Sequence, residues 1–424
     1  MARNRPSAAR RGTTSTALLL AVACWGCGPD TDPRAPTNAP RYFDAAHVVL
    51  VSFDGLGADL LERFRAPSFE RVAAAGARAE RMIPVYPTKT FPSHYSIATG
   101  MYAENHGLVG NRFWAPDLAA AYSLADRTAV EDGRFYRGEP IWVTAERQGM
   151  VSASFFFVGS EAPVGGVQPS YWYPFDAGIP HERRVDRVLE WLSMPPETRP
   201  HMITLYFEDV DAAWHNDGPD GEATATAVAK VDRSLGRLLD GIETLSHRDR
   251  VYVLLVSDHG LISAPAAMVD ELDTGLFPGV RVAETGPYAS LFVEEGGARR
   301  APALRDSLAA LLPQSEVWLR AEVPDRLHYS ADPRIGDIVI AAAPGRRVLE
   351  AGRQARDTYT HGWDNQLEEM GAIFMAMGPG IPPGQVVPPF EAVHVYPFVA
   401  HLLGLTPSPQ VDGRLEVLRP ILGQ

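Results

Sequence analysis

The chain has 424 residues, 46% of them hydrophobic and 21% charged, which excludes a disordered or fibrous protein and allows a large core. Its formal net charge of -13 argues against a surface groove for polyanions, so no nucleic-acid groove is expected. An anionic substrate would need local positive charge, which bound metal supplies.

Arg3, Arg5, Arg10 and Arg11 precede a short apolar run from Thr16 to Ala23, and Cys24-Trp25-Gly26-Cys27 follows. The run is too short to span a bilayer, and the pattern predicts an export signal over residues 1–27. Cysteines at its end suggest a lipoprotein type, placing the protein in the periplasm or cell envelope with a lipid anchor as its membrane attachment. Plain secretion is the alternative. Small residues before Cys24 suit lipidation, whereas Cys24-Trp25-Gly26 before Cys27 is unusual. Residues 28–45 read as a flexible, Pro-rich tether, and 46–424 as the folded domain. No cysteine follows Cys27, so that domain has to fold without disulfides.

His47 to Phe53 is a continuous apolar run ending at Asp54-Gly55, as a buried parallel strand does. A helix is predicted over Ala66 to Ala75. In Pro87-Thr88-Lys89-Thr90-Phe91-Pro92, proline suits a first helical turn, placing the Thr90 hydroxyl beside free helix N–H groups. Taken alone, Thr90 reads more readily as a helix cap than as a nucleophile, and only its partners change that balance. After a helix from Arg183 to Leu192, the strand Met202 to Phe207 runs into Asp211 and His215, whose four-residue spacing puts both on one helix face. Ala223 to Leu245 repeats apolar residues at helical steps. Val251 to Ser257 is a third buried strand, ending at Asp258-His259. From about 282 to 348 the rhythm breaks into a smaller α+β insert. Thr360-His361-Gly362 follows, then a strand from Gly371 to Met377 and a helix from Ala392 to Leu403. Alternating strands and helices predict an α/β fold, a mostly parallel central sheet with helices on both faces. Three strands then deliver Asp54, Asp211 and Asp258-His259 to one sheet edge, where open α/β sheets gather ligands. With His215, His361 and Thr90, these are the residue types two zinc ions need around one hydroxyl.

Several segments in this order resemble the nucleotide pyrophosphatase/phosphodiesterase family of the alkaline phosphatase superfamily. They are Ser52-Phe53-Asp54-Gly55, Pro87 to Gly100, Glu104 to Asn111, Gly159-Ser160-Glu161, Asp211 with His215, Asp258-His259-Gly260 and His361 to Asn365. The Cys-x-Pro-x-Arg site of the sulfatase branch is absent. The resemblance implies an alkaline-phosphatase-like fold and two zinc ions per chain, one on Asp211, His215 and His361, the other on Asp54, Asp258 and His259. It implies that Thr90 contacts the second zinc, attacks phosphorus and forms a phospho-threonine ester, with Asn111 donating to a non-bridging oxygen. It places Phe91 and Phe175 on the two faces of a nucleobase, with Leu124 and Tyr206 lining the slot. At Phe175 relatives often carry tyrosine, so a hydroxyl contact is lost here. The neutral amide of Asn111 favours a monoanionic diester over a dianionic monoester, provided that neighbouring Arg112 does not turn inward. Tyr171, Trp172 and Tyr173 read equally as core. The expected substrate is a nucleotide or other small phosphodiester. Rival readings are a phosphomonoesterase, a phospholipid or glycerophosphodiester hydrolase, and a surface zinc-binding protein without catalysis.

Overall fold

The computed structural model describes residues 36–423. The expected signal and its two cysteines lie outside the described residues. The tether was expected to extend to residue 45, but its last residues are fastened to the domain. Asn38 donates to the carbonyls of Pro196 (2.9 Å) and Arg199 (2.7 Å) and accepts from the Val151 N–H (2.7 Å), and Tyr42 is buried. Three bonds to one buried amide outweigh the freedom that the proline content suggested.

The central sheet has eight strands, in the order Gln385–Val387, Ala77–Ala79, Phe374–Met377, Val251–Val256, His47–Phe53, Met202–Phe207, Ser152–Phe155 and Tyr171–Tyr173. All neighbours are parallel except Phe374–Met377, which runs against both of its partners. Strand residues alternate between two cores, as the pleat requires. Val48 and Leu50 join one with the helices Thr90–Thr99 and Val395–Leu402, and Val49, Val51 and Phe53 join the other with Pro67–Ala75, His181–Leu192 and Glu222–Glu243. Helices thus cover both faces. Every residue of His47–Phe53 is buried, which explains its uninterrupted apolar run.

The insert is wider than expected. A parallel pair, Val269–Leu272 with Arg347–Glu350, closes its base. Above it, the antiparallel strands Val280–Glu284, Tyr288–Val293, Ile338–Ala342 and Ser315–Leu319 pack on the helix Gly297–Leu311 through Leu291, Leu304, Leu308 and Ile340. Tyr288, Tyr329 and Val339 turn the other way into the main core, so the insert keeps a small core of its own and is also packed onto the rest of the domain. No helix among the described residues is long and apolar enough to cross a membrane.

Candidate active site

The three central strands lie side by side in register, with Ser52 opposite both Tyr206 and Val256. Their carboxyl ends therefore open at one place. The Asp54 N–H donates to Phe207 O (2.9 Å), the Asp211 N–H to Asp54 O (3.0 Å), and the Gly55 N–H to Asp258 Oδ1 (3.0 Å). Gly55 is needed here: its φ is +68°, and a Cβ would lie 2.8 Å from Asp211 Cα. Asp211 and His215 share one face of the helix Asp209–Asp217, with His215 Nε2 3.4 Å from Asp211 Oδ1. His361 Nε2 lies 3.9 Å from the same oxygen. His259 Nε2 is 2.9 Å from Asp258 Oδ2 and 3.8 Å from Asp54 Oδ1.

Three groups can each hold an ion: Asp211, His215 and His361; Asp54, Asp211 and His259; and Asp54, His94 and Asp258. Asp211 thus belongs to two of them, and His94, not singled out in the sequence, enters the third. His94 is the weakest candidate of these. Its Nδ1 must donate to Thr90 O (2.9 Å), since a carbonyl only accepts, and its Nε2 is engaged by Ser52 Oγ (2.7 Å). His361 is the opposite case, with Nδ1 donating to Thr88 O (2.7 Å) and Nε2 left facing the carboxylates.

The donor set fits cations. Asp54 Oδ1, Asp211 Oδ1 and Asp258 Oδ2 are buried without a hydrogen-bond partner, a costly state for acidic oxygens. Burial, then Asp258 and Asp211, pushes the Asp54 carboxyl well above its usual range. Burial acts the same way on Asp258, but His259 and His94 outweigh it and hold that carboxyl low. Burial would lower His215, yet the neighbouring carboxylates of Asp211 and Asp357 lift it to about 10. His361 is driven well down by burial and by His259 and Lys89.

Thr90 opens the helix Thr90–Thr99, and its Oγ1 is 3.5 Å from His259 Nε2. The helix terminus offers less than its sequence suggested. The Phe91 N–H is taken by Asn111 Oδ1 (2.9 Å), Pro92 has none, and the Ser93 N–H bonds Lys89 O (3.0 Å), leaving the Thr90 N–H for an anion. The bond to Phe91 also orients Asn111: with its oxygen occupied, the amide NH2 is free to donate.

A cavity of about 330 Å³ joins these groups and continues between Phe91, Leu124, Phe156, Phe175 and Tyr206. Leu124 (39% exposed) and Phe175 (42%) form its open rim, while the Tyr206 hydroxyl donates to Asp54 Oδ2. Tyr171 and Tyr173 lie elsewhere, packed around Trp191 and Phe155 as core. The cavity wall also holds Arg127, bound to Glu161 and Glu131. Sequence reading gave neither Arg127 nor Glu161 a role, although Glu161 sits inside the Gly159-Ser160-Glu161 segment. Arg112, beside Asn111, is exposed and does not line the cavity.

Residues 48–364 match the family model described as type I phosphodiesterase/nucleotide pyrophosphatase. The chain belongs to this family. Human ectonucleotide pyrophosphatase/phosphodiesterase family member 1 is 33% identical over 90% of this chain and 42% of its own length. The venom phosphodiesterase CdcPDE of Crotalus durissus collilineatus is 33% identical over 91% of this chain and 47% of its own. The chain therefore spans less than half the length of these curated relatives. Among solved structures, murine ectonucleotide pyrophosphatase/phosphodiesterase 5 superposes with a TM-score of 0.82 at 29% identity, covering 88% of this chain and 99% of that one. An inactive Thr-to-Ala form of that protein, in complex with AMP, superposes with a TM-score of 0.83 at 29% identity, covering 89% and 99%. The family membership agrees with the fold built above, a mostly parallel sheet of the alkaline phosphatase superfamily.

Proposed function

We propose that this phosphodiesterase-family chain is a two-zinc phosphodiesterase/nucleotide pyrophosphatase acting through Thr90. The observation that carries this reading is the Thr90 hydroxyl beside partnerless buried carboxylate oxygens, at the mouth of an apolar slot that contains a free amide donor. Asp211, His215 and His361 would hold one ion and Asp54, Asp258 and His259 the other, a mixed carboxylate and imidazole set that suits zinc. Bound there, zinc would neutralise phosphoryl charge and favour the alkoxide of Thr90. Thr90 Oγ attacks phosphorus as the bond to the leaving oxygen breaks, giving a phospho-threonine ester. Water then cleaves that ester and restores threonine, so the net reaction is diester plus water to monoester plus alcohol. The Asn111 NH2 and the Thr90 N–H donate to the non-bridging oxygens as charge shifts onto them.

A diester is favoured over a monoester because the one arginine or lysine side chain lining the cavity, Arg127, is already paired with Glu161 and Glu131. That pairing also neutralises Glu161, the wall's acid outside the proposed metal ligands, which weakens the choline-lipid alternative. Phe91 and Phe175 would hold a nucleobase, in keeping with the AMP bound by the murine relative. The basic, apolar amino-terminal segment extends the proposal to an exported protein, periplasmic or envelope-bound through a lipidated cysteine, or else secreted.

The test is initial rates, with zinc, on a nucleoside 5'-(p-nitrophenyl) phosphate, bis-p-nitrophenyl phosphate and p-nitrophenyl phosphate. The nucleotidyl diester should be the best substrate and Thr90→Ala should abolish its turnover. Preference for the monoester would move the chain to the phosphatase branch, and activity surviving Thr90→Ala would rule out the covalent route.

A further inference from the structure

The three imidazoles assigned to metal are not equivalent on their far sides. His361 Nδ1 donates to a neutral carbonyl, Thr88 O, and His259 Nδ1 is buried with no partner. His215 Nδ1 alone faces a carboxylate, Asp357 Oδ2 at 2.9 Å, together with Tyr359 O at 2.7 Å. Asp357 is itself held. Its Oδ1 lies 3.0 Å from Arg347 Nη1, and its carbonyl accepts from Arg347 Nη2 at 3.0 Å. Arg347 is buried, with an Nε that has no partner, so its remaining hydrogen bonding is committed to this one residue. It stands on Arg347–Glu350, the strand that pairs with Val269–Leu272 at the base of the insert, and its own N–H donates to Met268 O (3.0 Å).

A carboxylate behind a ligating imidazole fixes which nitrogen carries the proton, locks the ring and makes the other nitrogen a better donor. Resting on the metal assignment above, we propose that Asp357, clamped by Arg347 of the insert, is a positioning residue that makes the Asp211/His215/His361 site the tighter of the two metal sites. The sites then load in order, that one first. The insert's function at the active site is this clamp: it brings a buried cation to a carboxylate that otherwise would be free to turn toward solvent, Asp357 being 31% exposed.

The test measures metal affinity, by chelator competition with elemental analysis, in the full chain. Wild type should take up two zinc ions with separated affinities. In a His259→Ala background, which leaves the Asp211/His215/His361 set intact and removes an imidazole from the other site, Asp357→Asn should weaken the tighter ion about 10–100-fold. In a His215→Ala background the same change should leave affinity unaltered. Arg347→Lys, which keeps the charge but loses the two-pronged grip, should give a smaller loss in the first background only. Melting separates this from a scaffold role: the rise in melting temperature on adding zinc, taken from each protein's own metal-free value, should be smaller for Asp357→Asn than for wild type, whatever the loss of the Arg347 ion pair costs the metal-free protein. Equal effects of Asp357→Asn in both backgrounds, or none in either, would overturn the proposal. Failure of wild type to bind zinc would instead overturn the two-zinc reading on which it rests.

Discussion

Asn111 works through both ends of its amide. The oxygen is committed to the Phe91 N–H, and this leaves the NH2 as an oriented donor at the place where phosphoryl charge would grow. Removing one such donor from an acyl-transfer site typically lowers turnover by about 10²–10³-fold. Asn111→Ala should therefore lower kcat on the nucleotidyl diester by about that factor, with KM changing much less, as steady-state rates would show. A loss confined to KM would mean that the amide only binds ground-state substrate. Phe175 makes a different contribution, since it touches the slot and not the phosphoryl site. Phe175→Ala should raise KM for the nucleotidyl diester several-fold and leave bis-p-nitrophenyl phosphate nearly unaffected, if an aromatic pair adds about 0.5–1.5 kcal/mol beyond its area. Comparable losses on both substrates would remove Phe175 from base binding.

At the level of the elements, imidazoles also stand at the amino ends of the central strands, the opposite end from the site. His47 and His201 stack with ring centroids 4.2 Å apart, and His247 lies 5.1 Å from His47. Their Nδ1 atoms donate to Pro200 O (3.0 Å) and Ala46 O (2.9 Å), stitching the strand starts together. Burial, then the neighbouring His201, lowers His47 to about 2, and burial together with Arg199 lowers His201 to about 4. The unfolded chain takes up these protons near the ordinary value of 6.5, whereas the folded protein does not. Below that pH the unfolded state binds more protons, so stability is complete above about 6.5 and declines as pH falls toward 4 and then 2. The melting temperature of metal-free protein should fall across this range, less steeply for His201→Gln than for wild type. Equal slopes would show that the cluster does not contribute.

For the whole molecule, the main electrostatic cost is three carboxylates, Asp54, Asp211 and Asp258, converging where sheet, helices and insert meet. Cations that bind only the folded state offset it. At a metal concentration of about 100 Kd each site adds about 2.7 kcal/mol. Chelation should therefore lower the melting temperature and zinc should restore it, as calorimetry would record. A melting curve indifferent to both would mean that the carboxylate cluster is not a metal site.

The parts of this protein that depend on neighbours along the chain were legible in its sequence. The apolar run His47–Phe53 is a strand because it is buried on both faces, and the Asp211 and His215 spacing lies on one helix face because of the helical repeat. The repeated pattern of an apolar strand followed by an acid or imidazole was enough to bring Asp54, Asp211, Asp258 and His259 to one edge. Contacts between distant segments left no such periodic mark. Nothing local distinguishes the antiparallel direction of Phe374–Met377, because a buried strand reads the same either way. The meeting of Asp357 with Arg347 and His215, and of Arg127 with Glu161, was also settled only by folding. Each is a pairing of charged groups whose separation along the chain carries no constraint. Strands, helices and ligand types follow from local pattern, whereas which nitrogen and oxygen atoms face one another depends on how the strands and the insert pack across the sheet edge.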